Sequence, residues 1–148
     1  MATLLYLLNY IGSRTMKKII PFKTAIAITI VIMLLVTVFN VLVLIGLIPY
    51  NMVWGGRIKT SEEMVVFELI SILINLVTIF IVLVKAKHIL PTWSKVGNVA
   101  AWFLPILFFL GILGNLASTS AIEKALFVPL TALLFLLTLR IAMTKNNG

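Results

Sequence analysis

Apolar residues arrive in four long runs separated by short polar stretches. The first, Thr24 to Ile48, contains no charge, and the second, Met64 to Val84, contains one, Glu68. The third is Val99 to Leu116 and the fourth Ala125 to Leu139. Crossing the hydrocarbon core of a bilayer takes about 20 mostly apolar helical residues at ~1.5 Å each. The last two runs are short by that measure, and flanking residues extend them with their ends in the interface. None alternates with the period of two that a barrel strand needs, so all four read as helices. The pattern predicts an all-α membrane protein: four transmembrane helices, shortly connected, packed as an antiparallel bundle.

Local signals support these boundaries. Thr60-Ser61-Glu62-Glu63 and Ser120-Ala121-Ile122-Glu123 each have the form of a capping box, in which a hydroxyl and a glutamate satisfy the free amides of a helix start. They predict the starts of helices two and four, where the glutamates also suit the helix dipole. Pro105 and Pro129 each remove a backbone donor within helices three and four and predict kinks. Residues 16–148 form a single transmembrane domain. Residues 1–15, MATLLYLLNYIGSRT, are an N-terminal extension ahead of Met16-Lys17-Lys18: either a start placed too early, or a short interfacial helix with Leu4, Leu8 and Ile11 on one face.

Charge fixes an orientation. Arg14, Lys17, Lys18, Lys23, Lys85, Lys87, Lys95, Arg140 and Lys145 fall on one side, and only Arg57, Lys59 and Lys124 on the other. The positive-inside rule then places both termini in the cytoplasm of a multi-pass inner-membrane protein. The four glutamates (Glu62, Glu63, Glu68, Glu123) lie on or near the outer side. A net charge of +8 would suggest nucleic acid in a soluble chain, but hydrophobic residues are 62% of this one and the bases flank apolar runs. The expected partner is the bilayer, with no nucleic acid.

Composition also narrows the chemistry. There is no cysteine and no aspartate, and a single histidine, His88, lies in a basic inner loop. Thiol catalysis, thiolate metal sites and bis-histidine haem are excluded. No catalytic constellation, metal site or cofactor is expected, because hydrolysis or transfer needs a nucleophile with a base or a multiply ligated metal.

What remains is a set of polar groups inside the spans. Glu68 lies one turn into the second span, where an ionisable group is costly. At ~100° per residue, Glu68, Ser71, Asn75 and Thr78 fall within an arc of roughly 80°, a stripe that should face the bundle interior. Thr37 and Asn40 of the first span and Gly111, Asn115 and Ser118 of the third offer facing polar or small positions. Asn40 and Asn75 sit at similar depth, so a hydrogen bond between them is feasible. Asn40, Ser71, Thr78 and Ser118 are expected to act as polar glue between helices. The outer loop Pro49-Tyr50-Asn51-Met52-Val53-Trp54-Gly55-Gly56-Arg57 carries two glycines that permit a tight reversal, which would fold Arg57 over the bundle mouth. Trp54, Arg57, Glu68, Asn75 and Asn115 are therefore the candidate ligand-binding residues, for a lipid headgroup or a small anion.

The segments IPYNMVWGGRIKTSEEMVVFELISILIN (Ile48 to Asn75) and GNLASTSAIEK (Gly114 to Lys124) resemble a group of small four-span bacterial membrane proteins with a Trp-Gly-Gly-Arg outer loop. The resemblance covers roughly residues 17–143, and implies the four-span architecture and no chemistry. Two functions stay open. One is a small binding, sensing or structural subunit with an outward polar pocket, alone, as a homo-oligomer or beside a partner membrane protein. The other is a proton-coupled transporter using Glu68, loosely similar to the small multidrug-resistance family. That family places its glutamate in the first span, which is uncharged here, and Glu68 is shallow for a coupling group.

Overall fold

A computed structural model describes residues 20–50 and 58–144, apart from the side chains of Ile122 and Glu123. All regular elements among the described residues are helical: α1 (Phe22–Leu44), α2 (Ser61–Lys85), a 3-10 turn (Pro91–Trp93), α3 (Ser94–Ala100), α4 (Phe103–Leu116) and α5 (Ala121–Ala142). Four segments are long and apolar enough to cross a membrane: α1, α2, Pro91–Leu116 and, within α5, Lys124–Ala142. The extension at residues 1–15 lies outside the described residues.

Backbone chemistry sets the ends. α1 stops at Leu44, four residues before the apolar run does, because Gly46 takes φ of 80°. Leu47 N–H then donates to Leu42 C=O at 2.9 Å and Gly46 N–H to Val43 C=O at 3.0 Å, which closes the helix as a Schellman motif. Hydropathy does not register that reversal. α2 ends the same way, with His88 N–H bonded to Leu83 C=O and Lys87 at φ of 60°. Its start is the capping box read from the sequence: Thr60 Oγ1 accepts from Glu63 N–H at 3.2 Å. Glu63 Oε2 accepts in return from Lys59 N–H, one residue before the cap, at 2.9 Å. The matching box at Ser120 depends on the Glu123 side chain, which lies outside the description.

The third span is longer than Val99 to Leu116 and is broken in two. Pro105 has no N–H to give the Ala101 carbonyl, and the helix breaks at Ala101 and Trp102. Pro105 thus falls in the first turn of α4, where its missing donor costs nothing. Pro129 lies inside an uninterrupted α5.

α1 packs on α2 and on α5, and α5 on α4, whereas α2 and α4 scarcely meet. The four long helices form an incomplete ring, α2–α1–α5–α4. α3 packs against α2 and bridges the open side at one end. Gly97 makes that approach feasible: a Cβ there would lie 2.9 Å from Val84 Cγ1 and 3.0 Å from the Lys85 backbone nitrogen.

Two apolar clusters fill the ring. The larger contains Ala25, Ile26, Met33, Val82, Leu104, Phe108, Leu134, Leu137 and Ile141. The smaller closes the other end with Val43, Ile58 and Met64. Phe39 and Phe127 meet edge to face at 5.8 Å and tie α1 to α5. Outside, large apolar side chains such as Leu35, Leu73, Phe103 and Leu110 are exposed. A surface of this kind suits hydrocarbon as solvent, because lipid tails exert no penalty on it.

Candidate functional site

Between the two apolar clusters lies a cavity of about 270 Å³. Asn40 of α1, Ser71 and Asn75 of α2, Gly111 and Asn115 of α4 and Thr131 of α5 line it, over a floor of Met33, Phe108 and Leu134. Helical spacing assembles it. Val36 and Asn40 are four residues apart, as are Ser71 and Asn75, Gly111 and Asn115, and Phe127 and Thr131, so each of the four helices presents two residues to the same space.

The polar groups are partly satisfied by one another. Asn115 Nδ2 donates to the Phe127 carbonyl and to Thr131 Oγ1, each at 3.3 Å. Thr131 in turn donates its hydroxyl proton to the Phe127 carbonyl of its own helix at 2.6 Å. Ser71 likewise bonds back to the Phe67 carbonyl at 2.9 Å. Asn75 is different: it is 7% exposed, and its Nδ2 has no hydrogen-bond partner among the described residues. The Asn40–Asn75 bond that equal depth allows is not made through that donor. A buried, unmatched amide costs ~1–3 kcal/mol.

The other sequence candidates are placed separately. Glu68 is 2% exposed, already engaged in an interaction, and absent from the cavity lining. It lies one turn beyond Ser71, beside Met64 of the smaller apolar cluster. Thr78 is buried farther along α2 and also misses the cavity. Ser118 is buried just past the end of α4 at Leu116, where its Oγ accepts from Ser120 N–H at 3.1 Å in the connecting turn. Trp54 and Arg57 lie outside the described residues.

No family model, curated protein or solved structure matches the chain. The site is therefore read from its own chemistry. It offers amide and hydroxyl groups and, among the described residues, no ionisable lining group. Nor do the described residues contain a group of three or more His, Asp or Glu that could hold a metal.

A second polar assembly went unnoticed in the sequence. Lys85 and Arg140, read there as flanking bases, are 1% and 5% exposed. Lys85 Nζ donates to Asn98 Oδ1 and to the Thr144 carbonyl, both at 2.6 Å. Arg140 Nε donates to the Ile20 carbonyl at 2.9 Å, and Nη1 to the Thr144 hydroxyl. The start of α1, the end of α2, α3 and the end of α5 are thereby gathered at one end of the bundle. The available signal was a base in the last turn of both α2 and α5, where a cation also suits the helix dipole.

Proposed function

We propose that this chain is a four-span, antiparallel, inner-membrane protein with both termini cytoplasmic, acting as a small binding module through the cavity between its helices. The observation that carries the binding reading is the convergence of three asparagines and two hydroxyl residues, drawn from all four long helices, on one space. Packing alone does not require that convergence. Polar glue between membrane helices works pairwise, at an average of ~0.6 kcal/mol per bond, and needs no volume beside it.

The orientation rests on the nine bases against three, and on contacts that gather the start of α1 with the ends of α2 and α5. Because the chain has no cysteine, single cysteines introduced at Lys124 and Thr144 report each face without background. Labelling of intact cells by a membrane-impermeant maleimide should reach position 124 and spare position 144; the reverse would overturn the orientation.

For the cavity, Gly111→Leu is the deciding variant. A Cβ at Gly111 meets Thr131 Cγ2 at 3.6 Å, an ordinary contact, so the larger side chain extends into the space rather than into backbone. If the cavity holds a ligand, native mass spectrometry from nanodiscs shows a non-protein mass on the wild type that the variant lacks. If it is merely a void, no such mass exists and filling it raises stability.

A further inference from the structure

The cavity's chemistry and its open side identify a class of ligand, an assignment that rests on the binding reading above. Ile74 of α2 and Leu107 of α4 both line the cavity and are 39% and 37% exposed, more than the other lining residues. They flank the side of the ring where α2 and α4 scarcely meet. In a bilayer an opening on that side faces hydrocarbon, so a ligand using it would arrive from the lipid phase and carry an apolar body.

Its polar end is constrained by the lining. With no ionisable lining group among the described residues, a phosphate, carboxylate or ammonium would lose its hydration without a counter-charge. An uncharged head faces no such cost. Asn115 directs its donor to α5 and retains its carbonyl oxygen as an acceptor, while Asn75 holds a donor that has no partner. The terminal torsion of an asparagine is broad, so either end of the Asn75 amide turns toward the cavity at little cost. A group that both donates and accepts matches this pair: a hydroxyl beside an ester oxygen. The volume, equal to roughly nine waters at ~30 Å³ each, suits such a head and the first carbons of a chain, with the remainder left in the bilayer.

We propose that the cavity binds the head of a neutral glyceride of the diacylglycerol type, admitted laterally between α2 and α4 and held by Asn75 and Asn115.

The test uses the full chain in phosphatidylcholine nanodiscs with two photoreactive probes carrying the same diazirine acyl chain: a diacylglycerol and a phosphatidic acid. Diacylglycerol should label peptides containing Ser71–Asn75 or Leu107–Asn115 and be competed by unlabelled diacylglycerol. Asn75→Leu should reduce that labelling by about fivefold, the factor corresponding to one hydrogen bond of ~1 kcal/mol. Gly111→Leu, which keeps both asparagines, should abolish it and so guards against an Asn75 variant that fails to fold. Equal or stronger labelling of the same peptides by phosphatidic acid, still lost in Gly111→Leu, would overturn the neutral-head assignment and leave the binding reading standing. Labelling by neither probe, with Gly111→Leu more stable than wild type, would overturn both.

Discussion

Gly97→Ala should unsettle this fold although it adds only a methyl group. The new Cβ would stand 2.9 Å from Val84 Cγ1, 3.0 Å from Lys85 N and 3.2 Å from Val84 C. Heavy atoms sit comfortably at ~3.5–4.0 Å, so α3 must retreat from α2 by about half an ångström. Rotation of the Val84 side chain relieves the first contact, but the other two are with the helix backbone and have no rotamer to offer. Overpacking of this kind costs ~1–3 kcal/mol, against which alanine's helix preference over glycine returns up to ~1 kcal/mol. The retreat also stretches the 2.6 Å bond from Lys85 Nζ to Asn98, the residue next to Gly97. A net loss of ~1–2 kcal/mol follows. Gly114→Ala is the matched control: nothing lies within 4 Å of its Cβ, so it should be neutral or stabilising by up to ~1 kcal/mol. Equilibrium unfolding by SDS titration from mixed micelles, followed by circular dichroism, measures both. The reasoning is refuted if Gly97→Ala is as stable as wild type, or if Gly114→Ala loses more.

Three smaller perturbations probe the remaining joints. Thr60→Ala removes the acceptor for Glu63 N–H and should cost ~1 kcal/mol in the same titration, with Thr60→Ser close to wild type. Thr131→Val deletes one of the two acceptors of Asn115 Nδ2; a double-mutant cycle with Asn115→Leu should give a coupling near ~0.6 kcal/mol, and zero coupling would refute the contact. Lys85→Met removes both bonds to Asn98 and Thr144, so amide exchange by mass spectrometry should speed up at residues 140–144 while the middle of α5 is unaffected.

The four long apolar helices were legible because the property that marks them is additive along the chain. Lipid solvates a segment according to its average hydrophobicity, and that average is visible in any window of sequence. Boundaries were legible only where a side chain makes them, as Thr60 and Glu63 do at the start of α2. Where the backbone makes them, as at Gly46, hydropathy overran the helix by four residues. The break before α4 lay between these cases: Pro105 predicted a distortion, and its position four residues after Ala101 determines where it falls.

The site was half legible for a related reason. The spacing of Ser71 with Asn75, and of Gly111 with Asn115, gives each helix its own polar face, but which faces share a space depends on which helices are neighbours. Sequence order suggests that the second and third spans adjoin. In the structure the backbones of α2 and α4 scarcely approach, and α1 and α5, the first and fourth long helices, complete the wall between them. This is why Thr131 of α5 entered the site unannounced while Glu68, buried on the same helix as Ser71 and Asn75, did not join it. It also explains Lys85 and Arg140. A base at a span's end reads as a topology signal when only its own helix is considered. Once four helix ends meet, the same base is enclosed, and carbonyl oxygens at Ile20 and Thr144 do the work that water would otherwise do. Two of the nine bases that carry the proposed orientation signal, Lys85 and Arg140, are thus also the donors that hold one end of the bundle together.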